Sequence, residues 1–150
     1  MDEQKKPTLM QQILRFGIVG GLSFIIDFAV YSAILLIFGR DDLRVVAAAG
    51  FFGFTISLIF NYFSSMKFVF VHDENMDRKK EFTIFAILSL IGLGLNEVLI
   101  LGTVALFNNV PFLQGGFLWD IKEWVGKIFA TGVVMVYNFI TRKIFIEKKD

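Results

Sequence analysis

Residues 13–38 read ILRFGIVGGLSFIIDFAVYSAILLIF, an apolar run broken only by Arg15 near its start and Asp27 near its middle. An α-helix needs about 20 such residues to cross the hydrocarbon core of a bilayer. A secretory signal peptide has an apolar region of only about 7–15 residues, so the run is expected to stay as a membrane helix, although Asp2, Glu3, Lys5 and Lys6 precede it. Three further apolar stretches follow at 45–66, 82–107 and 124–145. The chain has 150 residues and is 55% hydrophobic, more apolar surface than a water-soluble domain of this size can hide. The expectation is one all-α integral membrane domain, residues 1–150, of four transmembrane helices.

Most of the 15 Lys and Arg residues lie before the first stretch, between the second and third, and after the fourth. By the positive-inside rule both termini are then cytoplasmic. Trp119 and Trp124 fall toward the outer interface, where an indole finds both water and hydrocarbon. The segment 39–44 reads as a tight charged turn, 72–81 as a longer charged connection, and 108–123 as a more apolar loop.

The two halves share a pattern. Phe16 precedes Asp27 as Phe85 precedes Asn96, and Phe52 precedes Asn61 as Phe129 precedes Asn138. This spacing predicts a parallel two-helix repeat, the alternative being chance similarity between apolar helices.

An ionised group at mid-membrane costs about 2.5–3.5 kcal/mol, so Asp27, Glu97 and Lys127 call for a compensating role. Helical spacing sets Gly20, Ser23 and Asp27 in one stripe, Gly50, Gly53, Ser57 and Asn61 in a second, and Ser89, Gly92 and Asn96 in a third beside Glu97. Lys127, Thr131, Asn138 and Arg142 form a fourth. The stripes read either as close helix packing or as walls of a hydrophilic groove, and the acids either as a fold-holding pair with Lys127 or as substrate contacts. Toward the cytoplasmic end, Asn61, Tyr62 and Lys67, and again Asn138, Arg142 and Lys143, place bases beside amides and aromatics. That suits a lipid phosphate as well as it suits membrane anchoring. The run Arg78-Lys79-Lys80 reads as an anchor.

With no cysteine and one histidine, His72, which lies in a loop, neither a zinc site of the Cys/His kind nor a Ser/His/Asp set inside the membrane can be assembled, and no nucleotide-binding fingerprint occurs. No enzymatic activity and no cofactor are expected. A net charge of +1 gives no reason to expect nucleic-acid binding.

The ordered set Arg15-Phe16-Gly17-Ile18-Val19-Gly20-Gly21 to Asp27, Asn61-Tyr62 to Lys67-Phe68-Val69-Phe70, Asn96-Glu97, and Lys127 to Asn138-Phe139 and Arg142-Lys143-Ile144-Phe145 resembles the GtrA-like family. The resemblance implies a multi-pass protein of the bacterial cell membrane that moves a polyprenyl-phosphate-linked sugar to the outer leaflet for cell-surface polysaccharide synthesis. Ser65-Met66-Lys67 is similar to the branch serving teichoic acid glycosylation. The family's motif residues fall on Asp27, Asn61, Lys67, Asn96, Glu97, Lys127, Asn138, Arg142 and Lys143. The expected partners are the lipid-linked sugar, membrane lipid, further copies of the chain and a membrane glycosyltransferase. A proton-coupled small-molecule exporter and a non-transporting scaffold for a glycosyltransferase are the competing readings.

Overall fold

A computed structural model describes residues 6–39 and 41–149, apart from the side chains of Leu43, Glu123 and Trp124. Asp2, Glu3 and Lys5 therefore lie outside the described residues, as does the Trp124 side chain. The elements are α1 (Leu9–Phe38), α2 (Leu43–Phe68), α3 (Arg78–Asn109), a 3-10 turn (Pro111–Leu113), a short α4 (Phe117–Asp120) and α5 (Lys122–Phe145). Four of these, α1, α2, α3 and α5, are long and apolar enough to cross a membrane.

Several helix ends extend past their expected positions, for local reasons. Thr8 and Gln11 form a capping box: the Thr8 hydroxyl accepts from Gln11 N at 3.3 Å, and Gln11 Oε1 accepts from Thr8 N at 3.0 Å. This starts α1 at Leu9, ahead of the apolar run. The helix closes on Gly39, whose φ of 87° a side chain would strain, and whose N–H donates to Leu35 O. Asp42 caps α2 by accepting from Arg44 N at 2.8 Å. The bases Arg78, Lys79 and Lys80 form the first turn of α3 instead of remaining in the charged connection.

Large side chains stand open along the spans: Leu36 is 85% and Ile37 73% exposed. Apolar surface on this scale is stable only against lipid. The chain is a membrane protein.

Contacts divide it into two compact units, Met1–Phe82 with Ile146–Asp150, and Thr83–Phe145. In the first, α1 buries Gln12, Phe16, Val19 and Ser23. Gly53 of α2 packs so closely on α1 that a Cβ there would stand 2.5 Å from Asp27 Oδ1 and 2.9 Å from the Asp27 carbonyl oxygen. Because one obstacle is backbone, Gly53→Ala should cost about 1–3 kcal/mol. Gly50, whose Cβ would meet nothing within 4 Å, should accept alanine freely. Thermal unfolding of both variants in detergent checks this pair, and equal midpoints would refute the close approach.

In the second unit small residues again admit neighbours. Asn138 Oδ1 lies 2.9 Å from where a Gly92 Cβ would be, and Thr103 Cβ lies 3.2 Å from the corresponding point on Gly126. The same registers are buried along α1 and α3, and along α2 and α5 with the residue that follows each. Gln12, Phe16, Val19 and Ser23 of α1 have the spacing of Glu81, Phe85, Leu88 and Gly92 of α3, and all eight are buried. Ala49, Gly53, Ser65 and Val69 match Gly126, Ala130, Arg142 and Ile146 in the same way. These are the alignments that place Phe16 on Phe85 and Asn61 on Asn138, so the sequence pattern is also a pattern of helix faces.

Candidate functional site

The densest polar cluster of the first unit gathers around Glu81, a residue absent from the expected site. Its side chain is 0% exposed. Tyr62 OH donates to Glu81 Oε1 at 2.6 Å, Arg78 Nη1 reaches the same oxygen at 3.2 Å, and His72 Nδ1 is paired with Oε2. A carboxylate is tolerated in such a place only with its lone pairs occupied. Arg78, one helical turn before Glu81, supplies the charge, while Tyr62 from α2 supplies a neutral donor. Beside this cluster the chain returns from α5: Lys148 N donates to Val71 O at 2.8 Å, and Gln12 Nε2 bonds both Val69 O, at 3.1 Å, and Glu147 Oε1. The end of α2 and the last residues of the chain are thereby fastened to the beginning of α1.

Next to the cluster opens a cleft of about 850 Å3. Ile59, Phe63 and Phe82 form apolar walls, and Lys67, Arg78 and Lys79 supply the cations. Tyr62 packs edge-on against both Phe63 and Phe82, with ring centroids 5.1 and 5.0 Å away, which stiffens the wall. A cleft that is apolar along its length and cationic in part matches a ligand with one anionic group on a hydrocarbon chain. Arg78 and Lys79, expected only to anchor the chain, thus share a cleft with Lys67.

Higher in α1 and α2, Asn61 Nδ2 donates to Ser23 Oγ at 2.8 Å, Ser23 Oγ donates to Val19 O at 2.8 Å, and Ser65 Oγ donates to Asn61 Oδ1 at 3.2 Å. Asn61 is therefore knitted into helix packing. Asp27 is half-buried against Gly53.

In the second unit Arg142 is buried at 3% exposure, its guanidinium 3.9 Å from the Phe85 ring centroid and its Nη2 donating to Ser89 Oγ at 2.8 Å. One turn earlier Asn138 faces Gly92. At the matching place in the first unit Asn61 meets Ser23, and glycine has no hydroxyl to offer: Asn138 Oδ1 is buried without a hydrogen-bond partner. Asn96 and Lys143 are half-buried, whereas Glu97 and Lys127 are exposed and form no ion pair with each other. Thr131, expected in the stripe with Lys127, turns its hydroxyl back to Lys127 O at 2.7 Å. Trp119 holds Lys122 Nζ 4.3 Å from its ring centroid.

Of the expected residues, Lys67 lies in a cleft, Asn61 and Arg142 serve packing and hydrogen bonding within their units, and Asn138 presents an unsatisfied acceptor. Glu81 escaped the sequence reading, while Tyr62 entered it only as an aromatic beside the bases and Arg78 and Lys79 only as an anchor. The signal for Glu81 was its match to Gln12 in the repeat, a polar residue on what must be a buried face. Among the described residues no group of histidines, cysteines and carboxylates could hold a metal.

No curated protein and no solved structure gives a significant match. The family model described as GtrA/DPMS, transmembrane domain, matches residues 15–147, nearly the whole chain, from within α1 to just past the end of α5. The chain belongs to the GtrA/DPMS transmembrane-domain family.

Proposed function

We propose that the protein moves a polyprenyl-phosphate-linked sugar from the inner to the outer leaflet, with both of its termini on the inner side. Family membership is consistent with a part in processing sugars on glycosyl carrier lipids. The observation that carries the more specific reading is the cleft where apolar walls of Ile59, Phe63 and Phe82 meet Lys67, Arg78 and Lys79. Its apolar side suits a prenyl chain. Its bases suit the phosphate, Arg78 offering a planar fork and the lysines point charges. The tail can remain in hydrocarbon throughout, so only the head group needs a polar route in place of water.

The other motif residues enter the same scheme. In the first unit Asn61 offers an amide and Asp27 accepts sugar hydroxyls; in the second Arg142 and Lys143 add phosphate contacts, Asn138 offers an amide, Asn96 and Glu97 accept sugar hydroxyls, and Lys127 meets the phosphate farther along its helix. The protein would act without chemistry of its own. A glycosyltransferase would consume the sugar outside, for cell-surface polysaccharide or teichoic acid glycosylation, and copies of the chain would assemble to enclose the route.

The test is movement of a polyprenyl-phosphate-linked sugar between leaflets of liposomes holding the purified protein. Removing two charge-assisted contacts with the Lys67→Gln, Lys79→Gln double variant should slow movement about tenfold or more at matched incorporation. Absence of movement with the unaltered chain would overturn the proposal and favour the scaffold. A normal rate in the double variant would remove the cleft from the route.

A further inference from the structure

The connection from α3 to α5 differs in composition from the other two, which are charged. No charged residue occurs from Val98 to Trp119, so the apolar run that ends α3 passes into the 3-10 turn and α4 with no charge to mark where the span stops. The large side chains of this segment lie open: Phe112 is 93% and Phe117 76% exposed, and Leu118 is exposed with them. Where charges resume, Lys122 Nζ stands over the Trp119 ring, an ammonium and an indole paired.

The polar groups of the segment bond to one another and to the end of α3. The last turn of a helix leaves carbonyls without intrahelical donors. Here Leu106 O accepts from Val110 N at 3.0 Å, and Asn108 O accepts from Gln114 Nε2 at 2.8 Å. Asn109 turns its own amide back to Ala105 O, also at 2.8 Å. In the 3-10 turn Pro111 has no N–H to satisfy, while Leu113 N donates to Val110 O and Gln114 N to Pro111 O. Amides bonded internally and phenyl rings left uncovered are the opposite of what water favours in a solvated loop.

We propose that residues 111–119 are an interfacial segment lying in the bilayer surface, with Phe112, Phe117 and Leu118 among the acyl chains and Trp119 with Lys122 at the headgroups. Lipid is the occupant because the segment is continuous at both ends with α3 and α5, helices that lipid already surrounds. Its depth is limited, since irregular backbone exposed to lipid is not tolerated in the hydrocarbon core. An indole beside a cation suits the boundary between hydrocarbon and water. The placement holds whether or not the chain moves a carrier lipid.

The chain has no cysteine, so Phe112→Cys and Phe117→Cys each create one attachment point for a nitroxide, and Glu74→Cys, at an exposed position of the charged connection, gives the reference in water. In phosphatidylcholine liposomes, paramagnetic resonance with oxygen and a water-soluble nickel chelate should place both phenylalanine positions about 5–10 Å below the headgroup boundary. Nickel accessibility equal to that at position 74 would overturn the proposal. Exclusion of both reagents would overturn it too, because a protein neighbour or a second copy would then cover the segment. Trp119 provides a reading that leaves both phenylalanines in place. In a Trp124→Phe chain it is the only tryptophan, and brominated acyl chains should quench its emission; quenching by aqueous iodide without quenching by bromolipid would overturn the placement. Depth does not depend on transport, so failure here and failure of the proposed flipping are separable.

Discussion

Glu81→Ala is expected to destabilise the protein by about 3 kcal/mol, seen as a lower thermal midpoint in detergent. The carboxylate is 0% exposed and joins Tyr62 from α2, His72 from the connection and Arg78 from the first turn of α3. Alanine would leave a cavity and a buried Tyr62 hydroxyl with no carboxylate to donate to, and it would release the one group that binds these three segments together. Arg78 is 63% exposed, so water recovers much of its lost interaction and the estimate falls below that for a wholly buried ion pair. Tyr62→Phe should cost only about 1 kcal/mol, because it removes donor and hydrogen bond together while Arg78 and His72 still hold the acid. A Glu81→Ala variant as stable as Tyr62→Phe would show that the cluster does not secure the fold.

Arg142→Ala should cost about 2–4 kcal/mol, through loss of a guanidinium packed on Phe85 and bonded to Ser89 Oγ. Arg142→Lys should recover only part of that loss, since an ammonium keeps the charge but neither the planar contact with the ring nor the fork geometry. Thermal midpoints and leaflet exchange at matched incorporation separate two roles for this residue. If stability and movement fall together, Arg142 holds α5 to α3, as its burial implies. Movement lost at unchanged stability would make it a phosphate contact, and a ligand reaching it would then have to displace Ser89 or Phe85.

The same contrast runs through the other polar positions. Asn61 and Asn138 were legible as a matched pair, because the residues around them repeat at equal spacing. What each does differs, because the helix face opposite carries Ser23 in one unit and Gly92 in the other. Gly53 was legible as a small residue in a stripe, yet its closeness to Asp27 depends on how α1 and α2 cross. Arg78 and Lys79 looked like anchors because a run of bases beside a membrane span usually is one. Only the fold, by placing the first turn of α3 beside Tyr62 and Lys67, brings them into a cleft.

The sequence by itself determined that the chain is a membrane protein with four apolar spans, its repeated spacing suggested matched helix faces, and its ordered motifs pointed to the family. Spanning a bilayer is a property of length and composition along one segment, and a repeated register is a property of spacing, so neither requires knowledge of distant partners. The tertiary structure decided which polar groups are buried and what satisfies them, Glu81 by Tyr62, His72 and Arg78, and Arg142 by Ser89 and Phe85, and it brought the exposed bases Lys67, Arg78 and Lys79 to one cleft. The reason is energetic. Whether a charge is tolerable at a given depth depends on donors and acceptors brought there from other helices, and that arrangement exists only once the chain has packed.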